Sequence, residues 1–275
     1  MTKSVLITGC SSGIGYVCAH ALQAQGFKVI ASCRKEEDVI RLRQEGLTCI
    51  QLDLADSQSI TRGVEQTLAL TNGELYGLFN NGAYGQPGAL EDLPTDALRE
   101  QFESNFFGWH QLVGEVLPIM RQQNEGRIIQ NSSVLGFAAM KYRGAYNASK
   151  FAIEGWTDTL RLELYGSNIH IALLEPGPIE TRFRQNALAA FMKWIDIENS
   201  PHKEHYLAQR SRLENETSSN RFVLPAQSCV APVLHALTSL KPKIRYRVTT
   251  PTVLFAYLKR LLPARWMDEI LRRAA

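Results

Sequence analysis

The sequence predicts an α/β fold: a doubly wound parallel sheet, with a lid over one end and a basic C-terminal extension. Three observations predict it. Short β-like runs alternate with helix-length segments at a spacing that calls for parallel strands joined by crossover helices. A glycine-rich turn lies between the first run and the first helix, from Thr8 to Gly15. The composition is globular, with 45% apolar, 21% charged and 9% aromatic residues.

Taken in order, Val5 to Thr8, Lys28 to Ser32, Thr48 to Leu52 and Leu75 to Phe79 read as buried strands. Arg127 to Asn131 and Ile169 to Leu174 continue the series, and Arg245 to Val248 is a weaker last strand. Helix-length segments fall near 14–25, 36–45, 57–71, 95–123 and 146–166. Right-handed crossovers then leave a doubly wound topology. Residues 179–224 break the rhythm: they are polar, with embedded Phe183, Leu188, Phe191, Met192, Trp194 and Ile197. So long an excursion in a compact domain reads as a partly ordered lid.

A chain of 275 residues fits one large α/β domain and needs no disulfide to hold its core. The five cysteines have no C-x-x-C spacing, which fits a reducing compartment. The first apolar run leaves no room for a signal peptide, and no stretch reaches a membrane span. Those readings together predict a cytoplasmic protein. A net charge of +3 is too small to argue for nucleic acid. The charge is uneven, however: residues 241–275 carry nine basic and two acidic side chains, a net of +7. Such a tail reads first as a solvated surface, with a weak contact to an anionic membrane as the sharper alternative. Thr252 to Leu262 combines an apolar face with basic residues; we expect this segment to pack back over the substrate site, membrane contact again being the alternative.

The turn Thr8-Gly9-Cys10-Ser11-Ser12-Gly13-Ile14-Gly15 suits a pyrophosphate. Gly9 permits a tight turn, Gly13 lets the backbone approach a ligand, and Gly15 lets the helix pack close to the sheet. Helix-start N–H groups and the positive dipole end supply the attraction. Where an acid would read the adenosine ribose of NAD, the second strand runs into Arg34 and Lys35. A guanidinium grips a 2′-phosphate through paired donors, so the expected cofactor is NADP(H).

Tyr146 and Lys150 stand one helical turn apart on the same face. A nearby cation favours a phenolate, so the spacing predicts a tyrosine whose pKa is drawn down toward neutrality. Ser133 follows a strand and lies at the carboxyl edge of the sheet, where a ligand crevice forms. Asn105, inside a helical stretch, reads by itself as a solvent-facing or backbone-bonded side chain.

The ordered set resembles the short-chain dehydrogenase/reductase family, in its compact branch, over roughly residues 3 to 181. The resemblance rests on Thr8 to Gly15, Asp53, Asn80-Asn81, Asn105, Ser133, Tyr146-x-x-x-Lys150 and Pro176-Gly177-Pro178-Ile179-Glu180-Thr181. It implies a Rossmann-type catalytic domain covering residues 1–275, with residues 179–224 as the substrate lid. Tyr146 would be the general acid–base, Ser133 would orient the carbonyl oxygen, and Lys150 would bind the nicotinamide ribose. Asn105 would order a water leading to Lys150. Gly9, Ser11, Ser12, Gly13, Ile14, Gly15, Arg34 and Lys35 would hold the cofactor's phosphates. Asp53 and Leu54 would lie by the adenine, Asn81 and Gly82 by its ribose, and Ile179 and Thr181 by the carboxamide, with Pro176 and Gly177 also binding the cofactor. Where the family has Asn-Asn-Ala-Gly, this chain has Asn80-Asn81-Gly82-Ala83, which implies altered local geometry with binding retained. The finer resemblance is to bacterial NADP-dependent aldehyde reductases and to retinol and 17β-hydroxysteroid dehydrogenases.

The expected activity is NADPH-dependent, reversible reduction of hydrophobic aldehydes or ketones to alcohols. Tyr84, Leu135, Phe137, Met140, Phe183, Phe191, Met192 and Trp194 are the candidate walls of an apolar substrate pocket. The alternatives are a non-catalytic NADP(H)-binding redox sensor and an NADP-dependent retinol or steroid dehydrogenase. His202 and His205 lack a third ligand, so no metal is expected, and the pair reads as solvated. By analogy with the family, the helix bearing Ile153, Trp156, Leu160 and Leu164 would pair with its mate in a homodimer or homotetramer.

Overall fold

The computed structural model describes residues 2–214 and 222–274. Strand β1 (Ser4–Ile7) is buried along its whole length, because it has parallel neighbours on both sides and helices above and below. Those neighbours are β2 (Lys28–Cys33) and β4 (Gly77–Asn80). β3 (Thr48–Gln51) lies outside β2; β5 (Gly126–Asn131), β6 (Ile169–Glu175) and β9 (Arg245–Arg247) extend the other wing. Among the described residues the sheet has seven strands, all parallel, in the order β3-β2-β1-β4-β5-β6-β9. Strand order reverses between β1 and β4, and a crevice opens at the carboxyl ends there.

Helices α1 (Gly13–Ala24), α2 (Glu36–Gln44) and α9 (Val230–Thr238) cover one face, with Cys18, Leu22, Val39, Leu42, Val233 and Leu237 in a shared core. On the other face, α3 (Ser57–Leu70), α5 (Gly108–Gln123) and α6 (Gly144–Glu163) bury Ile60, Trp109, Leu112, Val116, Ile153 and Leu160. Asp56 caps α3 by accepting from the backbone N–H groups of Gln58 and Ser59. All five cysteines are buried thiols.

The helix expected over 95–123 is interrupted. α4 (Thr95–Phe102) runs through a π-turn at Glu103–Phe107 into α5. Gly108 explains the close fit that follows, since a Cβ there would lie 2.0 Å from the Leu54 carbonyl oxygen.

Two helices make up most of the described part of the expected lid. Its helices α7 (Phe183–Trp194) and α8 (Lys203–Glu214) clamp a small core of Phe191, Ile195, Ile197 and Tyr206 against Ala89. Residues 215–221 of the expected lid lie outside the described residues. The lid returns through a two-residue parallel pairing of β7 (Ile179–Glu180) with β8 (Leu224–Pro225). Of the histidine pair expected to be solvated, His205 is exposed and His202 half-buried, and both also touch the lid's own side chains and its neighbours. His205 stacks on Tyr142 with ring centroids 3.9 Å apart, and His202 pairs with Glu91 at 2.6 Å. Tyr206 adds a second fastening, donating to Asp92 at 2.5 Å and accepting from the Ala89 N–H at 2.8 Å.

The basic tail also departs from a wholly solvated reading. Arg245 and Arg247, on β9, enter an ion cluster beneath α6. Arg245 reaches Asp158 at 2.7 Å, Glu154 at 3.3 Å and Glu175 at 3.0 Å, and Arg247 reaches Glu175 at 3.1 Å. Helices α10 (Thr250–Leu261) and α11 (Ala264–Ala274) then fold back along the crevice, as expected of the 252–262 segment. No helix among the described residues is long and apolar enough to cross a membrane.

Candidate active site

A cleft of about 1170 Å³ occupies the crevice at the strand-order reversal. One end is the glycine turn. Gly9 and Gly13 have φ of +69° and +62°, a left-handed conformation that glycine adopts at little cost. A Cβ on Gly15 would lie 2.4 Å from the Gly9 carbonyl oxygen, so the helix start is pressed against the turn. Ser12, the N-cap residue of α1, makes no side-chain cap bond, so the first-turn N–H groups remain for an anionic ligand. Ser11, Ser12, Gly13, Ile14, Asn81, Gly82, Pro176, Gly177, Ile179 and Thr181 line the cleft together with Gly9.

Thr8 ties the two loops of this end together. Its hydroxyl accepts from the N–H groups of Asn81 and Gly82, each at 2.9 Å, and Asn81 Nδ2 returns a bond to the Thr8 carbonyl. Both contacting glycines are tightly placed: a Cβ on Gly9 would lie 2.5 Å from Gly82 Cα, and one on Gly82 would lie 2.9 Å from Leu54 Cδ1 and 3.2 Å from the Gly9 nitrogen. The two backbones thus touch with no side chain between them.

The other end holds Ser133, Tyr146 and Lys150, brought together by the β5 carboxyl end and the first two turns of α6. Ser133 Oγ accepts the Leu135 N–H at 3.1 Å, which leaves its own proton to donate. Phe183, from the lid, meets the Tyr146 ring edge-on at 5.2 Å. Lys150 is 1% exposed, its Nζ donating to the Asn131 carbonyl at 2.7 Å and lying 4.3 Å from the Trp109 ring centroid.

Burial sets the protonation of this pair, and it corrects the sequence expectation for tyrosine. Burial pushes the Tyr146 phenol up to about 12, and Ser133 only partly offsets it. Burial pulls Lys150 down to about 7, against the opposing pull of the Glu154 carboxylate one turn below. Glu154 is itself raised to about 7, by burial first and by the Glu175 charge next. With the phenol raised and the amine's charge weakened by burial, the free chain does not show the tyrosine drawn down toward neutrality that the spacing predicts.

Several expected residues lie away from the cleft. Asn105, on the π-turn, is wholly buried; its Oδ1 accepts the Tyr84 N–H at 3.2 Å, and its Nδ2 donates to the Tyr84 carbonyl at 2.8 Å and to Ser149 at 3.3 Å. It braces the loop after β4. Arg34 and Lys35 are exposed at the tip of β2, with Lys35 3.1 Å from Glu37. Asp53 accepts from the Ala55 N–H at 3.0 Å beyond β3, and the Leu54 side chain packs against Gly82. Of the expected pocket walls, Leu135, Met140 and Phe183 line the cleft. Phe191 does not, being buried in the lid core, and Met192 is 55% exposed.

Sequence reading missed Arg41, Trp109 and Asn131. Arg41 donates to the Ser11 carbonyl at 2.7 Å while tethered to Asp38 and Glu45, so it stiffens the glycine turn from outside. Trp109 donates from Nε1 to the Gly82 carbonyl at 2.9 Å, and Asn131 Nδ2 donates to Asn81 Oδ1 at 2.8 Å. These contacts join residues from 27 to 50 positions apart. No local pattern announces them. Glu154 alone left a signal, four residues after Lys150 on the same helical face.

Fold and site together describe a doubly wound α/β domain with a glycine-rich turn and a serine, a tyrosine and a lysine facing one cleft. The family model described as short chain dehydrogenase matches residues 3–190, and the chain belongs to the short-chain dehydrogenase/reductase family. It is 45% identical over 272 residues to Uncharacterized oxidoreductase YbbO of Escherichia coli, covering 99% of this chain and 95% of that one. It is 34% identical to human Retinol dehydrogenase 8, over 88% of this chain and 80% of that protein. A solved short chain dehydrogenase/reductase from Burkholderia phymatum in complex with NAD aligns with a TM-score of 0.80 at 26% identity, over 94% of this chain and 92% of that one.

Proposed function

We propose that the chain is an NADP(H)-dependent carbonyl reductase, reversibly an alcohol dehydrogenase, acting on hydrophobic aldehydes or ketones. The observation that carries the reading is a buried phenol facing the same cleft as a glycine turn shaped for phosphate, with Ser133 and Lys150 beside it. The residues fit a dinucleotide: the glycine cradle has no room for a Cβ, and the helix start offers N–H groups. Arg34 and Lys35, at the strand tip where an acid would select NAD, favour a 2′-phosphate.

When bound, NADPH supplies the hydride. Tyr146 donates its proton to the carbonyl oxygen, and Ser133 directs its free hydroxyl proton to the same atom. Lys150 holds the nicotinamide ribose from its seat on the Asn131 carbonyl. Asn105 keeps the loop that carries Tyr84 in place beside them.

Leu135, Ala138, Met140, Phe183, Leu254 and Phe255 give the substrate end an apolar wall with one polar terminus, the pattern of a lipophilic carbonyl compound. The likeness to Retinol dehydrogenase 8 fits that class. We assign the cytoplasm as its compartment, in keeping with five buried thiols. We also assign a homodimer or homotetramer, with a changed interface. Ile153, Leu160 and Leu164 face the chain's own core, so Phe107, Phe151 and Leu162, at 49%, 40% and 71% exposure, are the outward apolar residues.

The test is loss of nicotinamide absorbance with NADPH and with NADH across linear aldehydes, retinal, steroids and small ketones. Turnover with NADPH, with KM falling as an aliphatic aldehyde lengthens, is the expected result. NADPH binding with no turnover on any carbonyl would favour the redox-sensor reading, and a flat chain-length series would remove the lipophilic substrate class.

A further inference from the structure

Helix α10 presents an apolar stripe to solvent. Val253, Tyr257 and Leu261 recur every fourth residue and Leu254 lies seven before Leu261, so the four share one helical face. Their exposures are 39% for Val253, 57% for Tyr257, 77% for Leu261 and 53% for Leu254. Past the corner at Pro263, Trp266 adds an indole at 66% exposure, while Met267 turns inward at 6%. Exposed apolar residues scattered singly are ordinary, but a contiguous stripe marks an interaction surface. Cations flank it at Lys259, Arg260 and Arg265, with Arg272 and Arg273 farther along α11. Over residues 250–274 these five oppose Asp268 and Glu269, a net of +3. The stripe is also continuous with the site: Leu254, Phe255 and Leu271 line the cleft.

We infer that α10 and α11 form a docking surface for an anionic lipid bilayer, and that apolar carbonyl substrate enters the cleft from the acyl chains at that contact. Aromatic and aliphatic side chains enter the acyl boundary, while neighbouring lysines and arginines stay with the headgroups. A second copy fits less well, because a symmetric contact through this face would set the same cations against each other. The docking half stands on surface chemistry alone; the substrate-entry half rests on the carbonyl reductase reading.

Flotation of the full chain with phosphatidylcholine vesicles, with and without phosphatidylglycerol, tests the docking. The wild type floats with the anionic vesicles and is released by added salt. Arg260→Gln with Arg265→Gln lowers the partition by about 30-fold. Tyr257→Ser, Leu261→Ser and Trp266→Ser together lower it by about 10-fold or more. Both variants keep the wild-type rate on a short, water-soluble aldehyde and slow on a long-chain aldehyde dissolved in the vesicles. Wild type that fails to float, or a triple variant that floats unchanged, overturns the docking surface. So does a concentration-dependent dimer that the triple variant loses while neither protein floats. An unchanged rate of the triple variant on the vesicle-borne aldehyde overturns the entry route. Flotation without turnover on any carbonyl supports the docking and removes only the reductase reading.

Discussion

Tyr146 and Lys150 share one face of α6, yet burial moves them apart, the phenol up to about 12 and the amine down to about 7. The directions have opposite consequences for the two reactions. Reduction needs a protonated phenol, which Tyr146 is at every pH below about 12. Oxidation needs the phenolate, whose fraction below that pKa grows tenfold with each pH unit. Alcohol oxidation should therefore accelerate steadily as pH rises from about neutrality into the alkaline range, while carbonyl reduction stays level there; parallel pH–rate profiles check both limbs. At the other end of the cofactor, Arg34→Ala should weaken NADPH binding by about 10- to 100-fold, the loss of a charge-assisted bond, and leave NADH nearly unaffected. Fluorescence titration with both nucleotides measures this, and equal losses would reject the phosphate-reading role. Ser133, Tyr146 and Lys150 were legible in the sequence because a strand end and a helical turn fix their spacing. The direction of the tyrosine shift was not. It depends on what seals the site, and Phe183 and Trp109 arrive there from other parts of the chain.

Among the elements, the strands were legible because a parallel sheet covered on both faces demands continuous apolar runs. The π-turn at Glu103–Phe107 was not, since a one-residue widening leaves helical periodicity almost unchanged. The lid helices were hidden for a different reason: their core of Phe191, Ile195 and Tyr206 is closed by Ala89, a hundred residues away in sequence. Charge patterning misled in the tail, where Arg245 and Arg247 look like part of a solvated run. They pin β9 to β6 and α6 through Glu175, which is 1% exposed, and through Glu154 and Asp158. Removing one partner of a buried pair leaves the other charge uncompensated. Arg245→Ala should cost about 3 kcal/mol of folding stability, read by urea denaturation, whereas replacing an exposed cation such as Lys35 should cost under about 1 kcal/mol.

At the scale of the molecule, strand order and cleft coincide. The reversal between β1 and β4 opens the crevice, the glycine turn fills one end, α6 supplies the phenol at the other, and the lid with α10 walls the remainder. That division separates holding a nucleotide from doing chemistry on a carbonyl, and it gives the account its sharpest test. NADPH binding and NADPH-dependent aldehyde turnover should be measured side by side in the wild type and in Tyr146→Phe. Binding should be unchanged and turnover lower by about 1000-fold, the loss of a positioned general acid. A variant that reduces aldehyde at close to the wild-type rate would contradict it.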